Sequence, residues 1–111
     1  MRLADIPEER VDWSREAPTR TEGASGHALT RRRLCGALQQ RVVEYAPGYL
    51  ADHWCAKGHV LFVLGGALVI EHEDGSPAIA LDEGMSWAVG DDARPAHRVR
   101  TEGGARVFIV D

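Results

Sequence analysis

APGYLADHWCAKGHVLFVLGGAL, residues 46–68, carries three side chains that ligate metals well, His53, Cys55 and His59, within seven positions. A run of strand formers that reads as buried, Val60 to Leu64, and the pair Gly65-Gly66 follow directly. Residues two apart on a strand face the same side, so His53 and Cys55 are expected to point together, with Trp54 turned the other way into packing. Ala56-Lys57-Gly58 can bend the chain, and His59, opening the next strand, can then swing beside them. Imidazole and thiolate are the ligand types zinc prefers, and they also suit copper, iron and nickel. Such binding requires Cys55 as a thiolate, which a nearby cation favours. The glycine pair reads as a turn.

Outward from this stretch the chain keeps the same rhythm. On its N-terminal side, residues 28–34 and 37–45 read as strands separated by Cys35-Gly36 and closed by Pro47-Gly48. On its C-terminal side, Ala67–Glu73 and Ala78–Leu81 flank the turn signal Asp74-Gly75, and Met85–Val89 follows Glu83-Gly84. His97–Thr101 and Ala105–Val110 are the last two strands, joined by Glu102-Gly103-Gly104. Strands every eight to twelve residues, with turn chemistry between them and no convincing helix, predict an all-β sandwich or barrel. Residues 1–26 differ: two prolines, many charges and a Gly23–Gly26 break mark an arm that packs on the barrel (27–111) or on a partner subunit. A short helix over Glu8 to Val11 is weakly signalled, and Trp13 is expected to dock on the main body.

Composition bounds the function. At 111 residues and 44% hydrophobic, the chain makes one domain with an ordinary core. A net charge of −4 argues against a nucleic-acid partner, and Arg31-Arg32-Arg33 reads as a solvated strand with one arginine turned inward or across a partner. No stretch reaches the roughly 20 apolar residues of a membrane span, and no signal-type segment opens the sequence. Two cysteines, Cys35 and Cys55, are too few for a disulfide framework. A cytoplasmic setting is expected.

Other residues carry weaker signals. Tyr49 and Trp87 are candidates for the barrel mouth, and Gln39 and Arg41, on one strand face, are candidates to enter the cavity. Asp52 reads as a turn or surface group, and His27 and His72 as structural or exposed. The competing reading of the central stretch makes His53 and His59 core histidines bonded to carbonyls and Cys55 an inert apolar residue. His97, following Arg94-Pro95-Ala96, would by itself be a loop or strand-edge histidine.

The spacing resembles the cupin superfamily, small antiparallel β-barrels of jelly-roll type. Gly48 stands where that family's first motif begins, one residue closer to His53 than usual, and Gly66 closes it with the usual six residues between it and His59. Cys55 occupies the position of the motif's second histidine and His59 that of its glutamate. Gly84 resembles the start of the second motif and His97 its metal-binding histidine, although the intervening proline-x-glycine is missing and Gly90-Asp91-Asp92 stands there instead. ADHWCAKGHVLFVLGGALVIEHEDG, GMSWAVGDDARPAHRV and GGARVFIVD are more specifically similar to small single-domain cupins marked by a DHCW motif, here Asp52-His53-Trp54-Cys55. The likeness covers roughly residues 40–111. It implies a jelly-roll barrel and a metal site of His53, Cys55, His59 and His97, and no particular reaction.

Three functions are consistent with these residues. One is a metal-dependent dioxygenase, isomerase or lyase acting on a small polar molecule in the barrel. Another is a non-catalytic module that senses or carries a small molecule or metal ion, favoured by the missing cupin carboxylate. The third is purely structural, with metal as a staple or no metal at all and function in a homodimer surface. Exposed sheet edges make that pairing plausible. A bound metal in any of the three would be one transition ion, zinc foremost and iron, copper or nickel as alternatives.

Overall fold

The computed structural model describes residues 3–111. Its strands are β1 (Thr19–Glu22), β2 (His27–Cys35), β3 (Leu38–Tyr45), β4 (His59–His72), β5 (Ile79–Asp82), β6 (Ser86–Val89), β7 (His97–Arg100) and β8 (Ala105–Val110). All pairings are antiparallel. One sheet runs β1-β2-β3-β8-β4-β6, so the last strand lies between β3 and the first half of β4. The second half of β4 joins β5 and β7 in another sheet. The fold is a jelly roll whose hydrogen-bonded path does not close on itself.

β4 departs from the sequence reading in two ways. The glycine pair does not turn the chain: the strand runs 14 residues through it. Opposite β8, the register slips between Val63 and Gly65, leaving Leu64 as the extra residue of a bulge. Gly66 sits there at φ +72°, where a Cβ would lie 2.3 Å from the Gly104 carbonyl oxygen, so the two backbones meet as only glycine permits. The bulge bends β4 and passes it from one sheet to the other. The run Val60–Leu64 is also not uniformly buried. Leu61 and Val63 face inward, while Val60, Phe62 and Leu64 face out, as strand alternation requires.

The inward rows of both sheets meet in one core of Val43, Leu61, Val63, Leu68, Ile70, Leu81, Val107 and Ile109 with two small alanines. On the outer side lies the N-terminal segment. The Glu8–Val11 region is not helical; a single 3-10 turn forms at Trp13–Arg15 instead, because the Asp12 carboxylate accepts from the Ser14 backbone N–H and caps it. The Trp13 ring meets Phe108 edge-on at 6.3 Å. Arg33 reaches back to Glu9 and Glu16, each at 2.9 Å, and β1 extends the sheet beside β2. Among the described residues no helix is long and apolar enough to cross a membrane.

Candidate metal centre

Three elements deliver the cluster. His59 opens β4 and His97 opens β7. Cys55 precedes them in a loop, where a two-bond antiparallel bridge fixes it to His97: the Cys55 N–H donates to the His97 carbonyl at 2.8 Å, and the His97 N–H to the Cys55 carbonyl at 2.9 Å. Cys55 and His97 are therefore cross-strand neighbours. The tight Cys55–His59 link is held open by the Gly58 N–H donating to Asp91. One ligand atom from each of Cys55, His59 and His97 lies within 4.8 Å of the others.

The donor set fits a transition metal. Cys55 Sγ is 3.6 Å from His59 Nε2, against the separation of about 3.5 Å that tetrahedral zinc bond lengths impose on a sulfur–nitrogen pair. His59 Nδ1 lies 2.8 Å from an Asp111 carboxylate oxygen. That bond keeps the proton on Nδ1 and leaves Nε2 its lone pair, as outer carboxylates do for ligating histidines. Burial, with the neighbouring His59 and His72, pulls His97 down to about 4, and burial likewise lowers His59 against the pull of Asp111. Both imidazoles are thus neutral at pH 7, the form that binds metal. The Lys57 backbone N–H donates to Cys55 Sγ at 3.4 Å and fixes the direction of the sulfur.

Asp111 is the residue sequence reasoning missed. Its side chain is 1% exposed and gathers Gln39, Arg41 and His59 through hydrogen bonds at 2.9, 2.7 and 2.8 Å, with Lys57 ammonium nearby. Burial would raise its carboxyl, but Gln39, Arg41, His59 and Lys57 outweigh that and hold it below the ordinary range. The signal lay in the alternation of β8: Ala105, Val107 and Ile109 face inward, so the next position on that row is Asp111. Asp111→Asn is expected to weaken metal binding roughly 10–100-fold without unfolding the protein. A competition titration with a chromogenic chelator would read it, and unchanged affinity would remove Asp111 from the centre.

The other expected residues divide. His53 does not share a strand face with Cys55, because residues 51–58 form bends with only the Cys55 bridge paired. Its side chain is 77% exposed and bonds Asp52 at 2.6 Å, outside the three-residue cluster. It stands at the rim of a cavity of about 160 Å³ that Cys55, His59 and His97 face, together with Arg41, Tyr49 and Trp87. Trp87 packs its ring edge-on against His97 at 4.8 Å. Gln39 does not reach this cavity. Its amide is engaged by Asp111, and it faces a more open groove of about 690 Å³ that touches the cluster at His59. Tyr45, read only as a strand former, also lines the inner cavity and stacks on Tyr49 with ring centres 4.8 Å apart. Trp54 covers the Arg98 guanidinium at 4.2 Å.

A jelly roll of this topology is a cupin-fold architecture, and this chain has the cupin fold. Its solved likenesses include the polyketide cyclase RemF of Streptomyces resistomycificus, with 17% identity, 94% of this chain and 78% of that one covered, and a TM-score of 0.75. A predicted oxalate decarboxylase of Thermotoga maritima matches at 13% identity over 92% and 96% of the two chains, also with a TM-score of 0.75. A cupin-2 domain protein of Shewanella frigidimarina matches at 18% identity over 74% and 78%, with a TM-score of 0.58. No family model and no curated protein matches the sequence.

Proposed function

We propose that this chain binds one transition-metal ion, zinc foremost, through Cys55, His59 and His97, and holds a small polar molecule beside it in the inner cavity. The observation that carries this reading is the convergence of three ligand atoms within 4.8 Å on the wall of that cavity. Three protein ligands leave a tetrahedral ion one exchangeable position, the arrangement of catalytic and not of structural zinc. The likeness to a polyketide cyclase and a predicted oxalate decarboxylase supports a small organic occupant. A metal-dependent isomerase, lyase or dioxygenase and a non-catalytic binding module both use such a site, and turnover of the bound molecule distinguishes them. Val60, Phe62 and Leu64, exposed in one row of β4, favour pairing of two copies in a homodimer.

The second reading, a closed site, draws on His53 at the cavity rim. If His53 were a fourth ligand, the ion would be sealed and structural. His53→Ala is expected to retain near one equivalent of metal when the protein is purified without added metal and analysed by elemental analysis. Loss of the ion from that variant would establish the closed site. A parent protein that takes up no zinc, iron, copper or nickel would end the metal reading altogether.

A further inference from the structure

We propose that the cavity selects a small carboxylate, held by the Arg41 guanidinium next to the metal centre; this rests on the metal-binding reading above. Arg41 lies on the inward row of β3 with Val43 and Tyr45, and its side chain lines the cavity. One of its terminal nitrogens donates to Asp111 at 2.7 Å. Its Nε–H is buried and has no acceptor among the described residues. That nitrogen is itself out of a ligand's reach; the side chain as a whole is 20% exposed, and a guanidinium's remaining N–H groups are shaped to grip a carboxylate with parallel bonds. Arg98 also has a buried Nε without a hydrogen bond, but Trp54 covers it and Glu71 stands 3.5 Å from that nitrogen, so its charge is already matched.

The rest of the lining agrees with an anion. Burial raises Tyr45 and Tyr49, so both phenols keep their protons and can donate. No aspartate or glutamate lines the cavity. The acids nearby are already engaged: Asp111 lies behind Arg41 and His59 with its oxygens shared among Gln39, Arg41 and His59, Asp52 is bonded to His53 at 2.6 Å, and Glu71 stands beside Arg98. Leu61, Trp87, Val99 and Ile109 supply apolar walls for a short carbon skeleton. At about 160 Å³, the space equals about five waters at roughly 30 Å³ each, which admits an acid of only a few carbons.

The test uses acetate as the probe and acetamide as its neutral counterpart, titrated into the purified full chain by calorimetry or ligand-observed NMR, with metal content measured in parallel. Acetate is expected to bind at least tenfold more tightly than acetamide. Arg41→Gln is expected to keep its metal and its cooperative melt while losing at least tenfold in acetate affinity. Arg41→Lys keeps the charge beside Asp111 but lacks the planar donor fork, so it is expected to lose at least fivefold and carries the test if Arg41→Gln does not fold. Equal binding of acetate and acetamide, or acetate affinity in the variants within twofold of the parent, would overturn the proposal. Metal-free parent protein that still binds acetate through Arg41 would sustain it while ending the metal reading. Metal-loaded parent protein that ignores acetate would end it alone.

Discussion

Cys55→Ser and His97→Ala are each expected to take the protein from near one bound metal ion per chain to near none. The reason is arithmetic of ligands. With three protein donors, deletion of one leaves two, and the loss should exceed the roughly 10–100-fold that outer partners such as Asp111 contribute. The two changes are complementary because they act on opposite sides of one backbone bridge. Cys55 and His97 exchange their main-chain hydrogen bonds whatever their side chains are, so neither substitution removes the bridge. Serine also preserves the size of Cys55 while replacing a soft thiolate with a hydroxyl that does not ionise at neutral pH. Elemental analysis of each variant, beside its thermal melt, checks this. Full metal content in either one would exclude that residue as a ligand.

Gly66→Ala should be among the most damaging single substitutions in the chain, at about 3–5 kcal/mol of stability. Two effects add. A residue with a side chain is strained at φ +72°, and its Cβ would stand 2.3 Å from the Gly104 carbonyl oxygen and 2.9 Å from Ala105 Cα. Both obstacles are backbone and neither can rotate away. Relief would require β4 and β8 to part where they are hydrogen-bonded to each other. Gly75→Ala provides the control. Its φ is +76°, but nothing lies within 4 Å of a Cβ there, so it should cost only the conformational part, about 1–2 kcal/mol. Chemical denaturation of the two variants measures the difference. Equal losses would show that the close approach at the bulge carries no energy.

Much of this was legible in the residues. Turn chemistry at Pro47-Gly48, Asp74-Gly75 and Glu102-Gly103-Gly104 marked the strand ends, and the likeness of residues 40–111 to small cupins implied the jelly roll. The same spacing brought Cys55, His59 and His97 into one argument although 42 positions separate the first from the last. What failed was local inference from pairs of residues. His53 and Cys55 share a face only on a strand, and the loop there is held by its hydrogen bonds to His97, a partner the local sequence does not contain. Gly65-Gly66 has the composition of a turn, yet the demand for glycine comes from the Gly104 carbonyl, in the loop that leads into β8. Asp111 was hidden for a different reason. Alternation along β8 points it inward, but a carboxylate there makes sense only once Gln39, Arg41 and His59 are known to meet it.

The place of β8 between β3 and β4 has a consequence for how the molecule is made. As the chain leaves the ribosome, β2 and β3 can pair early, since they form a hairpin, and β4 can recruit β5 to β7. The two groups have no strand in common until residues 105–110 are synthesised and slide between them. Pairings of such long sequence separation are slow to form. Newborn chains should therefore wait as two unjoined halves, each with an apolar face open to water and to chaperones. His59 meets its carboxylate, and Arg41 its anchor, only at the final stitch.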